Sequence, residues 1–323
     1  MTALNVRQGT PEWLAARMKG IGASDIPVLT GDSPYQSAIE LWGIKTGQIE
    51  PPEPDADTRD LFEVGHLMEA PLLELYERRT ERHPRRVPRM LVHRDVPWAF
   101  ASLDAQAPVK RVVEAKWTTA TRRWGEDGIP DDVNQQVQWQ MFVTGWDVAD
   151  VVALVGRSPR IVEVPRDQPY IDGLYAIAAD FWNNHVLTGV PPEADGSESA
   201  RKALVRLHPA DDGTILPATQ DLIELAYDYR AAKAATAAAE NDERGIGNAI
   251  RAILGDASGV EGLVSYRAGT RTDVNWKAVA FAYRTLLAQR TTDTTDDELQ
   301  AVVGLHSATI HSRTLRLLKG DSK

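Results

Sequence analysis

Ser102-Leu103-Asp104-Ala105-Gln106-Ala107-Pro108-Val109-Lys110-Arg111-Val112-Val113-Glu114-Ala115-Lys116-Trp117 reads as the end of one strand and the whole of the next, broken at Gln106 and Pro108. Successive side chains on a strand point to opposite faces. Ser102 and Asp104 therefore share one face, and Glu114 and Lys116 share a face opposite Val113, Ala115 and Trp117. Two adjoining strands can in this way aim two carboxylates and an amine at one place. A solvated sheet face with a cross-strand ion pair is the alternative, and spacing alone does not separate the two.

The flanking pattern extends the sheet and adds helices. Val87–Val92, Trp98–Ala105 and Val109–Trp117 form an expected antiparallel meander, and 148–155 and 160–164 are further strands. Apolar spacing predicts helices over 12–19, 36–47, 131–144 and 168–187, with a long one over 58–80 that Pro71 should kink. Helix, strands, helix, strands, helix is an α/β core. Past Pro191-Pro192 and the polar run 195–199 the composition shifts. We expect a first domain over 1–196 and a mainly helical accessory region over 197–323, with helix over 218–238. Val260 to Asp273 is expected to form a β-hairpin turning at Ala268-Gly269.

A third carboxylate lies on the 58–80 helix. Glu69 has Phe62, Gly65, His66, Leu72, Leu73 and Tyr76 as its helical neighbours, so it falls in the apolar stripe. A carboxylate facing a core needs a partner, and a shared divalent cation supplies one. The chain has no cysteine, which removes disulfides, thiolate nucleophiles, thiolate zinc sites and iron–sulfur clusters. Asp104, Glu114 and Glu69 with Lys116 beside them describe an oxygen-donor site for Mg²⁺ or Mn²⁺, the metals of phosphoryl chemistry.

The ordered set Gly65-x-x-x-Glu69, Asp104, Glu114-x-Lys116 and Gln136-Val137-Gln138 resembles the PD-(D/E)xK nucleases, and within them the YqaJ and lambda-type phage exonuclease branch. Leu103 stands where the fold's name has Pro. The run Gln8-Gly9-Thr10-Pro11-Glu12-Trp13-Leu14-Ala15-Ala16-Arg17, then Ile21-Gly22-Ala23-Ser24-Asp25, is similar to the same branch. The likeness spans roughly residues 7 to 190, and it is the order of several individually weak motifs that makes it specific.

The resemblance implies a mixed sheet flanked by helices and metal-dependent hydrolysis of DNA phosphodiesters. Glu69, Asp104, Glu114 and the Ala115 carbonyl would hold Mg²⁺, for which Mn²⁺ would substitute, and Lys116 would be the catalytic lysine. A glutamine of the following helix would support the site. Gln136 and Gln138 lie about 200° apart on a helix, and Gln138 is favoured because Phe142 follows it by four residues, as in the family's pattern. A pocket for the 5′-phosphate of a strand end would be formed by Arg17, Ser24, Ser102 and Arg122. Arginine suits that task as a bidentate phosphate donor.

The implied activity is a 5′→3′ exonuclease on the ends of linear double-stranded DNA in phage-type recombination. A single-strand annealing recombinase is the implied partner and a ring-shaped homotrimer the implied assembly. An endonuclease built on the same catalytic set, and a DNA-binding or assembly module on a nuclease fold, remain the alternatives.

Seven arginines against one acid between Arg78 and Arg94 suggest a track for the DNA backbone, with Arg78, Arg79, Arg82, Arg85 and Arg86 at its centre. A connector whose charges pair with neighbouring acids is the alternative. His66 is expected to pack or hydrogen-bond rather than to bind metal, and Trp117, Trp124, Trp139 and Trp146 to pack rather than to stack on bases. The balance of 36 basic and 46 acidic residues, net −10, argues against a protein that coats nucleic acid over its whole surface. No membrane span and no leader are apparent, so a cytoplasmic location is expected.

Overall fold

A computed structural model of the chain describes residues 1–6, 9–125, 128–288 and 296–317; Gln8 of the N-terminal run lies outside them. The architecture is mixed α/β. Six strands, β1 (Thr2–Leu4), β2 (Arg85–Val92), β3 (Phe100–Ala107), β4 (Arg111–Thr118), β5 (Val148–Val155) and β6 (Ser158–Pro165), form one sheet in sequence order. All neighbours are antiparallel except β4 and β5, which run parallel. That pair needs a crossover, and the helix inserted between them over Asp131–Thr144 supplies it. The expected start of β4 at Val109 moves to Arg111, because Val109 and Lys110 take left-handed turn conformations (φ 67° and 55°).

Before β2 come α1 (Pro11–Arg17), a 3₁₀ turn (Ala23–Asp25), α2 (Ile26–Leu29), α3 (Ala38–Lys45) and α4 (Ala56–Thr80); α5 (Asp131–Thr144) precedes β5. The helix α6 (Gln168–Asp180) continues through a π-helical turn to Val186 and is followed by α7 (Glu198–Leu207). α4 runs without a break through Pro71, started by Asp55, whose side chain accepts from the Thr58 N–H.

Alternation along the strands separates two cores. Val113, Ala105, Ala107 and Val152 pack against Leu72, Leu73 and Tyr76 of α4. Val112, Val151 and Ala153 face the larger core with Val137, Trp139 and Met141 of α5. Trp124, Trp139 and Trp146 are buried there, and Trp117 packs beside the α4 core.

The N-terminal segment is pinned to the start of β3. Ile21 N–H donates to the Trp98 carbonyl (2.7 Å), and Phe100 N–H donates to the Ile21 carbonyl (3.0 Å). Gly20 permits this approach, since a Cβ there would stand 2.1 Å from the Trp98 oxygen. The 3₁₀ turn is thereby fixed beside Ser102.

The chain divides into two units, Met1–Thr214 and Ile215–Lys323. The boundary expected near residue 196 shifts because α7 belongs to the first unit. Ser199 Oγ donates to Glu40 Oε2 (2.6 Å), and Arg206 pairs with Glu40 (3.3 Å) on α3.

The second unit holds α8 (Gln220–Leu254), β7 (Gly259–Val260), β8 (Val264–Val274), α9 (Trp276–Ala288), α10 (Asp296–Leu305) and β9 (Ser307–Leu317). Its strands form an antiparallel sheet in the order β7-β8-β9. The expected hairpin turn at Ala268-Gly269 is absent. β8 passes straight through those residues and pairs along its whole length with β9, a partner too distant in sequence for local turn signals to reveal. The helix expected over 218–238 is α8, one unbroken helix of 35 residues that runs on to Leu254. Among the described residues no helix is long and apolar enough to cross a membrane.

Candidate active site

β3 and β4 pair by backbone through Ala105↔Val113, Gln106↔Val112 and Ala107↔Arg111. Beyond that point the Ala115 N–H is taken by a side chain, Asp104 Oδ2 at 2.8 Å. The opening of the ladder makes a pocket of about 380 Å³, lined by Glu69, Asp104, Glu114, Ala115, Lys116 and Gln136, together with Arg17, Ser24 and Ser102. His66, Leu61 and Phe62 of α4 also line it. The structure thus brings together residues spread over roughly 120 positions of sequence on five elements and a 3₁₀ turn.

Glu114 is the most constrained member. It is 3% exposed; its Oε1 accepts from Gln136 Nε2 (2.7 Å) and pairs with Lys116 Nζ (2.7 Å), and its Oε2 accepts from Gln140 Nε2 (2.7 Å). Lys116 Nζ also donates to Gln136 Oε1 (2.8 Å). Gln140 donates in addition to the Ser102 carbonyl (3.1 Å), tying α5 to β3.

Gln138, which the sequence pattern favours for the site, faces away from it. Its Nε2 donates to the Pro165 carbonyl (2.9 Å), and its Oε1 accepts from the Asp167 N–H (3.0 Å). Gln136 and Gln140, one turn apart on the opposite face of α5, hold Glu114 instead. Gln140 is a residue the sequence reading missed, and its i+4 spacing from Gln136 is the signal that could have found it.

Burial pushes the Asp104 carboxyl up to about 8, helped by the charges of Glu114 and Glu69, against lowering by Lys116 and the Ala115 N–H. Lys116 is raised as well: burial lowers it, but Glu114 and Asp104 more than compensate and hold it above the ordinary lysine value. Glu69 sits at the pocket's edge, its Oε2 accepting from Arg86 Nη1 (3.2 Å). With Glu69 turned to Arg86 and both Glu114 oxygens engaged, no three His, Asp or Glu among the described residues stand grouped closely enough to hold a metal ion.

Next to the carboxylates, Arg17 Nη2 donates to Ser24 Oγ (3.0 Å) and Asp25 Oδ1 (2.9 Å), and Trp13 Nε1 donates to Ser102 Oγ (3.3 Å). Arg122, expected in the same pocket, is exposed on a 3₁₀ turn (Thr121–Arg123) and does not line it.

Several arginines of the run have partners within the chain. Arg78 pairs with Glu74, and Arg79 donates to the Pro159 carbonyl (3.2 Å). Arg82 pairs with buried Asp150 (2.9 Å), and Arg86 with Glu69, while Arg85 is exposed on β2. The acids of α4 and β5 lie within reach of this segment, and pairing with them lowers the cost of placing so many cations together. His66 Nδ1 lies 2.7 Å from the Phe62 carbonyl of its own helix.

Residues 12–147 match the family model of the YqaJ-like viral recombinase domain. The chain resembles that domain over this part of its length. Over 208 residues it is 31% identical to the uncharacterized protein YqaJ of Bacillus subtilis (strain 168), covering 62% of this chain and 64% of that protein. Less than two thirds of that relative's length is therefore matched.

Two solved structures are similar to the chain at low identity. One is the alkaline exonuclease LHK-Exo from Laribacter hongkongensis (18% identity, TM-score 0.47), covering 62% of this chain and 100% of that one. The other is a phage-related exonuclease from Haemophilus somnus 129PT (13% identity, TM-score 0.39), covering 53% and 96%. Every residue that lines the pocket lies inside the matched segment 12–147, as do Asp25, Lys45 and Gln140.

The raised Asp104 carboxyl predicts a pH-dependent weakness of the metal-free protein. Between the ordinary value of 3.8 and about 8 the folded chain keeps a proton on Asp104 that the unfolded chain has released, so stability falls as pH rises through that window. In chelator, Asp104→Asn is expected to match the wild type near pH 4 and to melt higher at pH 9. The expected gain is on the order of 5–10 °C, at roughly 2–4 °C per kcal/mol in a domain of this size. Melting curves across pH that stay parallel for the two proteins would contradict this assignment.

Proposed function

We propose that the chain is a Mg²⁺-dependent deoxyribonuclease, and that it degrades linear double-stranded DNA from 5′ ends in phage-type recombination. One observation carries the reading. A pocket lined by Glu69, Asp104, Glu114, Lys116 and Gln136 is continuous with a basic and hydroxyl-bearing corner lined by Arg17, Ser24 and Ser102. The match of residues 12–147 to the YqaJ-like viral recombinase domain supports the recombination context.

The residues fit a hard divalent cation. The donors are all oxygen, and Asp104 is driven toward its neutral form by burial and by two neighbouring carboxylates, a surplus of negative charge that a cation relieves. Glu69, Asp104, Glu114 and the Ala115 carbonyl would hold it. Once bound, it supplies an activated water and charge neutralisation at the scissile phosphate.

The chain's own groups do the rest. Gln136 and Gln140 orient Glu114. The Lys116 ammonium, gripped by Glu114 and Gln136, orients the attacking water and neutralises charge developing on the phosphate oxygens. Arg17, Ser24 and Ser102 bind the terminal 5′-phosphate and so set where the strand is cut. The annealing recombinase and the ring-shaped trimer implied by the resemblance belong to this same reading.

Digestion in Mg²⁺ of three substrates tests it: a linear duplex with 5′-phosphate, the same duplex with 5′-hydroxyl, and a covalently closed circle. We expect the first to be degraded at least about tenfold faster than the second, the value of one charge-assisted phosphate contact, and the circle to stay intact. Cutting of the circle would make the enzyme an endonuclease. No cutting in Mg²⁺ or Mn²⁺ would leave a binding module.

A further inference from the structure

Behind the phosphate-binding corner lies a pair of buried opposite charges. Asp25 and Lys45 have side chains only 4% and 3% exposed, and neither lines the pocket. Lys45 Nζ donates to Asp25 Oδ2 (2.8 Å) and to the Arg17 backbone carbonyl (2.7 Å). Asp25 Oδ2 also accepts from the Gly22 N–H (2.9 Å), while Oδ1 accepts from Arg17 Nη2 (2.9 Å). Arg17 is therefore gripped at both ends, by Lys45 on its carbonyl and by Asp25 on its guanidinium, and it lies over the Trp13 ring at 5.0 Å. Its side chain keeps 30% exposure toward the pocket.

Removing two charges from water is expensive, and a buried pair adds little net stability. Its arrangement here has an electrostatic consequence. Asp25 alone would cancel the charge of Arg17 and repel a phosphate. With Lys45 on its second oxygen, the trio of Arg17, Asp25 and Lys45 carries one net positive charge, and the only member of it facing the pocket is Arg17.

We infer that Asp25 and Lys45 are positioning residues for 5′-phosphate recognition: Asp25 fixes the Arg17 guanidinium, and Lys45 neutralises Asp25 so that the charge of Arg17 remains available to the DNA end. The inference rests on the phosphate-pocket reading given above.

The test is the ratio of kcat/KM for 5′-phosphoryl over 5′-hydroxyl duplex in full-length protein, with Arg17→Ala as reference. Lys45→Met leaves Asp25 free to cancel Arg17, and the ratio should fall about tenfold, chiefly through KM on the phosphoryl substrate. Asp25→Asn added to Lys45→Met keeps an acceptor for Arg17 and restores the net charge, and should recover most of the ratio. Asp25→Ala with Lys45→Met removes the acceptor and should lower it again. These two double variants decide the matter even where Lys45→Met alone does not fold. A merely structural role would slow both substrates alike in all three.

An unchanged ratio in Lys45→Met, or equal ratios in the two double variants, overturns the inference while the Arg17→Ala loss still upholds the pocket. A wild-type enzyme indifferent to the 5′-phosphate, or an Arg17→Ala variant with the wild-type ratio, overturns the pocket and the inference together.

Discussion

Replacing Lys116 by alanine is expected to lower Mg²⁺-dependent degradation of 5′-phosphoryl linear duplex by about 10²–10³-fold, the range seen when one preorganised donor is removed from a developing charge. The ammonium is held at 2.7 Å from Glu114 and 2.8 Å from Gln136, so its position relative to the carboxylates is set before substrate arrives. Its loss also leaves Glu114, 3% exposed, without its cation. Melting temperature should therefore be measured alongside the rate, and duplex binding by titration in Ca²⁺. The expected pattern is a folded protein that binds duplex and barely cuts it. Cutting at the wild-type rate by a folded Lys116→Ala protein would remove the lysine from the chemistry and, with it, the main support for a nuclease.

The second large effect lies away from the site. Asp150 on β5 has no exposed surface, and three groups converge on it: Tyr76 Oη donates to Oδ2 (2.6 Å), Arg82 Nη1 donates to Oδ2 (2.9 Å), and Arg111 Nη1 donates to Oδ1 (2.6 Å). Burial and the neighbouring Asp150 charge push the Tyr76 phenol up to about 12, so it remains a donor throughout the physiological range. Asp150→Ala leaves a phenol and two guanidinium groups without their common acceptor, and breaking a buried pair in this way costs about 3–5 kcal/mol. The melting temperature of the first unit should fall by on the order of 10 °C. Asp150→Asn, which keeps one acceptor oxygen, should lose less. A drop within a degree or two for the alanine variant would mean that Arg82 and Arg111 find solvent or Glu163 instead, to which Arg111 already donates at 2.7 Å.

How far the sequence reached depended on the range of the interaction concerned. The meander over 86–117 and the helix over 131–144 follow from period-2 and period-3.6 patterns, which are local, and the structure has them at nearly the expected bounds. Zero cysteine and the acid spacing fixed the donor chemistry available to any metal. The N-terminal run and the Glu69, Asp104, Glu114, Lys116 set were legible because order along the chain is itself a signal. That they line one pocket is a fact of packing: Gly20 lets the N-terminal segment close on Trp98, and the β3–β4 ladder opens at Asp104.

Other features depended on neighbours far away in sequence. Helical geometry showed that Gln136 and Gln138 cannot both face the site, but which of them does is set by the rotation of α5 on the sheet, and that rotation is fixed by burying Val137, Trp139 and Met141. The arginine run reads as free charge until Glu74, Asp150 and Glu69 are seen beside it. The β8 strand looks like a hairpin until β9, across two helices, pairs with it. Asp25 and Lys45, twenty residues apart, carry no motif as a pair, since burial alone turns two ordinary charges into a support for Arg17.

Local periodicity, composition and residue order thus determined the elements and the chemistry on offer. Only the tertiary structure decided which polar groups meet, because a side chain's partner is chosen by the packing of whole elements and not by its own neighbours in the chain.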